Sequence, residues 1–408
     1  RLTQQISGRR VNLALPDESL LLKKSIGAVT HTGGKRFDRE SDYYATIRRW
    51  IEEGVAFDEL PNADPVSLEL FPPKAVLQGP DQKQQFLVIA HYDDGTTRDV
   101  TDLSVFLSNN DNSVAISESG VATSGARGEA FVMARFATIT ERSQVIVLPK
   151  DAPAVDVASY PRKNEIDDLV NAKLAALRIQ PSETCTDAEF VRRLYIDLVG
   201  LMPTPQEYRA FIESEDPEKR SKLIDELLDR DDFVDLWTMK WGEMLKIRTA
   251  NQVSYKALLG FHSWLRERIA NNTRWNEIAR DVLSASGGTF ENPPANYYQI
   301  EANPQLIAEN VAQVFMGMRI QCAKCHNHPF DRWTMDDYYG FADFFGQIGY
   351  KQSRDPREFV VYNKAQGEID HFVSSRSVDP KYLGGSTPEL DGRDRRVLLG
   401  EWIASDEN

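Results

Sequence analysis

The amino-acid sequence predicts a multidomain fold, mainly α-helical, with an all-β sandwich near its N-terminal end. Three observations carry this. The chain has 408 residues, more than one ordinary hydrophobic core organises, so two to four domains are expected. Short alternating apolar runs separated by Gly, Asn and Asp fill residues 61–150 and read as strands. From residue 151 the apolar positions recur at helical spacing instead.

Composition narrows the classes further. With 41% hydrophobic and 27% charged residues, the chain has the make-up of a globular protein. No apolar run approaches the roughly 20 residues of a membrane span. Lys and Arg number 48 against 62 Asp and Glu, a net charge of −14. That balance argues against an extended nucleic-acid surface; it suits a basic redox partner as well as simple solubility. Three cysteines make no disulfide framework. The sequence opens on Arg1 and stops just after a helical pattern begins, so the natural polypeptide is expected to continue in both directions.

Taken in order, residues 1–60 hold a Ser19-Leu-Leu-Leu-Lys-Lys24 helix and a Gly-rich loop, His31-Thr-Gly-Gly-Lys-Arg36. A second helix follows, with Tyr43, Ile47, Trp50 and Ile51 on one face and Gly54 as its stop. Two such helices make a poor core alone and read as part of a domain. In 61–150 the runs Val66-Leu68-Leu70, Phe86-Val88-Ala90, Val114-Ile116, Phe131-Met133 and Val145-Val147 alternate with turn signals such as Asp93-Asp-Gly95. This spacing implies a small antiparallel sandwich.

Residues 151–385 read as one helical domain with a loop-rich extension from about Tyr350, expected to fold over a cofactor. Ile166, Leu169, Val170, Leu174 and Leu177 form an apolar stripe. Thr186-x-x-Glu189 and Thr204-Pro-Gln-Glu207 are capping boxes. The Trp, Phe and Met residues of 233–245, and Trp275 with its helix, read as core, and 286–295 as a loop. Residues 386–408 are expected to start a further domain.

The chemistry concentrates in Cys322-Ala-Lys-Cys325-His326, reached from a helix over Gln305–Met318. Two thiols this far apart lie on one turn and can both form thioethers with haem vinyl groups. The adjacent imidazole can then ligate the iron. Haem c is therefore the expected cofactor, on Cys322, Cys325 and His326. Zinc is the alternative, using the same cysteines with His326 or His328, although no second cysteine pair completes a tetrahedron; a redox dithiol would want a βαβ setting. His371 is the first choice for the distal iron ligand and Met335 the second, since Pro329 restrains His328. Arg332 is a candidate partner for a propionate, and Trp333 and Tyr338 candidate pocket walls. The sequence has no phosphate-binding glycine loop, nucleophile elbow or H-E-x-x-H, so electron transfer stands ahead of a hydrolase.

Three resemblances bear on these readings. The Ser-Leu-Leu-Leu helix, the Gly-rich loop and Arg49-Trp-Ile-x-x-Gly54 resemble the C-terminal half of a planctomycete cytochrome-c-like domain. That resemblance implies His31 as the distal ligand of a first haem, whose attachment motif is missing from this sequence. Tyr92-Asp-Asp-Gly-Thr-Thr-Arg-Asp-Val-Thr101, Ser113-Val-Ala-Ile116 and Ser119-Gly-Val-Ala122 resemble a bacterial immunoglobulin-like domain of group 2, which implies a spacer outside the cytoplasm. Residues 160–385, through Cys185–Gly200, Phe290–Asn296 and the Cys322–Trp333 stretch, resemble the second planctomycete cytochrome-associated family, which has no settled activity. The residues from about Leu390 resemble the opening of a third planctomycete domain. Together these imply an exported, multidomain c-type cytochrome, periplasmic, cell-surface or secreted. Its expected partners are a redox protein and, by analogy, polysaccharide. The alternative is a non-redox extracellular binding protein with a structural metal.

Overall fold

The computed structural model describes residues 10–30, 34–56, 63–158, 160, 162–249, 253–328, 331–364 and 366–405. Residues up to Val66, with Tyr92–Thr96, form one compact unit, and Ser67–His91 with the chain from Thr97 form a second. In the first, α1 (Leu20–Ser25) and α2 (Asp42–Glu52) enclose Val11, Leu22, Tyr44 and Ile51. Ser41 caps α2 by accepting from the Tyr44 amide. The aromatic that enters this core is Tyr44; Tyr43, expected on the buried face, is 45% exposed. The Tyr44 hydroxyl donates to Asp17 at 2.5 Å, so it is satisfied there. His31 lies outside the described residues.

A β-sandwich-like region follows, of β1 (Pro65–Phe71), β2 (Lys74–Gln78), β3 (Lys83–Gln85), β4 (Leu87–Tyr92), β5 (Thr97–Asp99), β6 (Val105–Ser108), β7 (Val114–Ile116), β8 (Val121–Ser124), β9 (Gly128–Phe136) and β10 (Ile139–Leu148). Its sheets run β1-β4-β5, β2-β10-β9-β6 and β3-β8-β7. The period-two pattern does what it should. Val88 and Ala90 on β4 are fully buried as expected; β9 is a correction, since Ala130, Val132 and Ala134 are fully buried and the expected Phe131 and Met133, on the other face, are only half-buried. The pairing is mixed: β10 is antiparallel to β9 and parallel to β2, with Ile146 opposite Val76.

The rest is mainly helical: α3 (Glu165–Leu177), α4 (Asp187–Val199), α5 (Pro205–Glu213), α6 (Lys219–Leu228), α7 (Asp231–Met244), α8 (Tyr255–Ala270) and α9 (Trp275–Leu283). Both expected capping boxes are present. Thr186 and Thr204 accept from the amides of Glu189 and Glu207, whose carboxylates accept in return. The apolar stripe of α3 is a correction. Ile166 is 63% and Leu169 71% exposed, because α3 is held by polar contacts with the sandwich. The Arg127 guanidinium donates to the Leu177 carbonyl at 3.0 Å, where the helix dipole favours a cation, and Lys173 pairs with Glu129.

Beyond α9 come β11 (Gly287–Gly288), α10 (Asn296–Ile300), α11 (Pro304–Met316), α12 (Met335–Asp343), β12 (Ile348–Gln352), β13 (Phe359–Asn363) and α13 (Arg395–Ile403). The segment read as a loop over 286–295 contributes a strand, in a sheet of order β11-β13-β12. A Cβ on Gly288 would lie 2.5 Å from Glu358 Oε1, so a larger residue there would displace that carboxylate, which accepts from the Phe290 amide. The large core joins Phe261, Leu265, Val282, Tyr298, Ile307, Phe341, Phe345 and Leu399. Thus α13 is built into this core. Its buried Arg396 donates to the Ala285 carbonyl at 2.8 Å, and its Arg395 reaches the fully buried Asp343 at 2.5 Å.

Burial pushes the Asp343 carboxyl up to about 6, against the pull of the Ile369 amide and the Arg395 cation. Between about pH 4 and that value the folded chain holds a proton that the unfolded chain has lost. The contribution of Asp343 to stability therefore falls as pH rises through this window. In urea melts, the margin of the wild type over Asp343→Asn is expected to shrink between pH 4 and 6. A margin that grows over that range would contradict the assignment.

Candidate functional site

Gly317, with φ 67°, ends α11 in the left-handed conformation. The chain turns before the two cysteines arrive. Residues Gln321–Lys324 form one turn of 3-10 helix, so the Cys-x-x-Cys-His segment is not a continuation of the long helix. Its inner side is anchored by the fully buried Ile320 and Ala323. Its outer side carries Cys322, Cys325 and His326, all exposed, with both thiols unpaired.

The backing comes from α12, whose start is fixed by a capping box between Thr334 and Asp337. The Tyr339 hydroxyl donates to the Lys324 carbonyl at 3.0 Å, and the Tyr338 hydroxyl donates to Glu309 on α11 at 2.7 Å. Burial pushes both phenols up, with the Glu309 hydrogen bond adding to the effect at Tyr338. Both therefore remain donors throughout the physiological range. Burial also works to raise the Asp337 carboxyl, but the Lys381 ammonium at 2.6 Å and the Thr334 amide and hydroxyl hold it below its usual range.

Between the turn and α12 the chain folds back on itself. The His328 amide donates to the Trp333 carbonyl at 2.7 Å, and the Met335 amide donates to Asn327 Oδ1 at 3.0 Å. His326 Nδ1 lies 2.7 Å from the Asn327 carbonyl oxygen. A carbonyl only accepts, so Nδ1 carries a proton, and in the neutral ring that leaves the lone pair on Nε2. This is how a second partner orients an imidazole for ligation. The His328 ring is half-buried and its pKa lowered by that burial, against the opposing pull of Asp331.

The remaining expected residues are placed as follows. Trp333 is 3% exposed, and its Nε1 has no hydrogen-bond partner among the described residues. The exposed Arg332 lies over its ring, 4.7 Å from the centroid. Met335 is buried in the core, and Met316 and Met318 pack against it. His371 is buried, with its ring centroid 5.1 Å from that of Tyr339. Its Nδ1 accepts from the amides of Val373 and Ser374, and Nε2 faces Asp336 at 3.4 Å. The extension thus brings His371 against the same tyrosine that holds the turn.

A haem c asks this chain for two reduced, accessible thiols on one turn and an imidazole with a free nitrogen. Cys322 and Cys325 supply exposed, unpaired thiols and His326 an exposed imidazole. Zinc asks for four converging donors. Among the described residues no group of three or more His, Cys, Asp and Glu side chains converges in a way that could hold a metal ion. Tyr339 holds the turn through the Lys324 carbonyl, a role that the motif did not reveal.

Fold and site define a helical protein with a surface Cys-x-x-Cys-His turn, preceded by a β-sandwich-like region. The family profile that matches is PSCyt2, a protein family of unknown function (DUF1549), over residues 165–350. That range contains the turn and α12 and stops before His371. No curated protein matches the chain. Among solved structures, domains 5–6 of the S-layer protein SbsC match at 17% identity with a TM-score of 0.20. That alignment covers 23% of this chain and 49% of the other, so the chain spans about half of its length. The likeness is too slight to define a fold.

Replacing Tyr339 with Phe removes the hydroxyl that holds the Lys324 carbonyl, at a cost of about 1 kcal/mol. Amide exchange measured by mass spectrometry should then quicken across 321–326 and stay unchanged in the sandwich strands. Unchanged exchange in 321–326 would mean that Tyr339 does not pin the turn.

Proposed function

We propose that the chain is an exported, multidomain c-type cytochrome that transfers electrons, periplasmic or at the cell surface. One observation carries the reading. Two exposed, unpaired thiols stand beside an imidazole whose Nδ1 is engaged by a backbone carbonyl at 2.7 Å. Cys322 and Cys325 would hold haem c through thioethers, and His326 Nε2 would ligate the iron. When bound, the haem supplies a one-electron centre. Each thiol would add its S–H across one vinyl group, so attachment would consume no oxidant but would require both Cys322 and Cys325 to be reduced.

The chain's own residues do the rest. Tyr339 and Asn327 keep the turn and the imidazole in place. Arg332, free of the interior and held over Trp333, would pair with a propionate. His371 remains the candidate for the distal side; ligation there would require Nε2 to give up its proton and Asp336, and Nδ1 to give up the Val373 and Ser374 amides from which it accepts. A protein redox partner is the natural electron donor or acceptor, with a link to extracellular polysaccharide as the wider setting.

Protein produced with cytochrome c maturation machinery should show a Soret band and sharp reduced α and β bands that survive acid-acetone extraction. Cys322→Ser with Cys325→Ser should abolish them, and prior oxidation of the two thiols to a disulfide should block loading. A colourless product from that host would overturn the proposal.

A further inference from the structure

The first half of α3 carries an apolar face that nothing in the chain covers. Ile166, Leu169 and Val170 are 63%, 71% and 49% exposed, and their i,i+3 and i,i+4 spacing puts them on one side of the helix. Glu165 and Asp167 edge this stripe on its two sides. The helix is well defined from its first residue, because Asn164 and Asp167 close a capping box there. The polar contacts that tie α3 to the sandwich lie toward its other end, at Lys173 with Glu129 and at Arg127 with the Leu177 carbonyl.

A second uncovered face lies at the corner where α4 turns into α5. Leu201 and Met202 are 52% and 58% exposed in the turn, and Ile196 before it and Ile212 after it are exposed as well. The corner is preformed. Gly200 ends α4 at φ 72°, a Cβ on it would lie 2.9 Å from Leu236 Cδ1, and Thr204 caps α5 with Pro205 at its first position. A face that is already rigid loses little freedom when it is covered. Arg192 and Arg193 stand one turn before Ile196, and Arg209 one turn before Ile212. All three are exposed, and none forms an ion pair among the described residues. Of the acids on these helices, Asp187 pairs with Lys219 and Arg220, Glu207 pairs with Arg230, and Glu189 closes the cap of α4. Asp197 and Glu213 are left against three arginines.

Apolar area alone does not say what covers these faces; the charge around each does. The α3 stripe is edged by carboxylates and the corner by guanidinium groups, so the two match in apolarity and oppose in charge. Within one chain neither covers the other, since α3 is tied to the sandwich. An anionic lipid surface would suit the arginines of the corner but leave the α3 stripe and its carboxylates bare. A second copy of the chain covers both. Two copies related by a two-fold axis place each α3 on the other's corner, which leaves neither face over and closes the assembly at a dimer.

We propose that α3 of one copy docks on the α4–α5 corner of a second copy, in a two-fold dimer held by these faces. The test is analytical ultracentrifugation of the full chain from about 1 to 200 μM, with a dissociation constant on the order of 10 μM expected. Leu169→Ser changes an exposed site, so the thermal melt should stay unchanged while association weakens about tenfold or more. Arg192→Glu with Arg193→Glu in one variant, and Glu165→Lys in another, should each weaken self-association about tenfold. Mixing these two variants sets opposite charges against each other at both contacts of the pair, and the mixture should associate as the wild type does. That restoration arises only between chains, so it separates docking between copies from docking within one. A chain that stays monomeric over the whole range overturns the inference, as does association that survives Leu169→Ser or a mixture no tighter than its components. A monomeric chain that sediments with vesicles of anionic phospholipid would assign the corner to a lipid surface and overturn it too.

Discussion

A single turn of 3-10 helix has too few internal hydrogen bonds to keep its own shape. The geometry of Cys322, Cys325 and His326 therefore depends on the hydrogen bond from the Tyr339 hydroxyl to the Lys324 carbonyl. That bond is only as rigid as α12, and α12 is among the most completely buried elements in the chain. Tyr338, Tyr339, Phe341 and Ala342 are all essentially inaccessible. Behind them Phe344 stacks on Tyr382, which stacks on Trp402 of α13. A reactive group presented to solvent is thus fixed by a core that solvent does not enter.

The same dependence explains the buried charges of α12 and α13. Asp343 sits at the end of α12, and Arg395, at the first position of α13, reaches it across the core. A buried pair of this kind contributes little net stability, because desolvation consumes most of the attraction, but breaking it leaves a stranded charge. It therefore specifies where α13 docks. Arg396 has a similar role, with its guanidinium over Tyr298 and bound to the Ala285 carbonyl.

Much of the local structure was legible because local chemistry dictates it. Thr186 with Glu189 and Thr204 with Glu207 close capping boxes whatever surrounds them. Alternation in β4 likewise survives folding as burial, whereas β9 turns Ala130, Val132 and Ala134 inward in place of Phe131 and Met133. What was not legible depends on distant partners. The stripe on α3 has the periodicity of a core helix, but its first half, Ile166, Leu169 and Val170, is exposed, and polar contacts link the helix to the sandwich. Gly287-Gly288 becomes a strand only because β13 arrives from some seventy positions later. The Cys-x-x-Cys-His donors were plain in the sequence. The tyrosine that holds their turn was not, because nothing local marks Tyr339 as the partner of Lys324.

The central claim is that this turn is an attachment site for covalent haem, and mass reports covalency directly. Intact-protein mass spectrometry under denaturing conditions, after production with maturation machinery, should show the polypeptide heavier by one haem. A peptide spanning 321–326 should carry that addition. A polypeptide of unmodified mass, with both thiols still free to alkylate, would contradict the account.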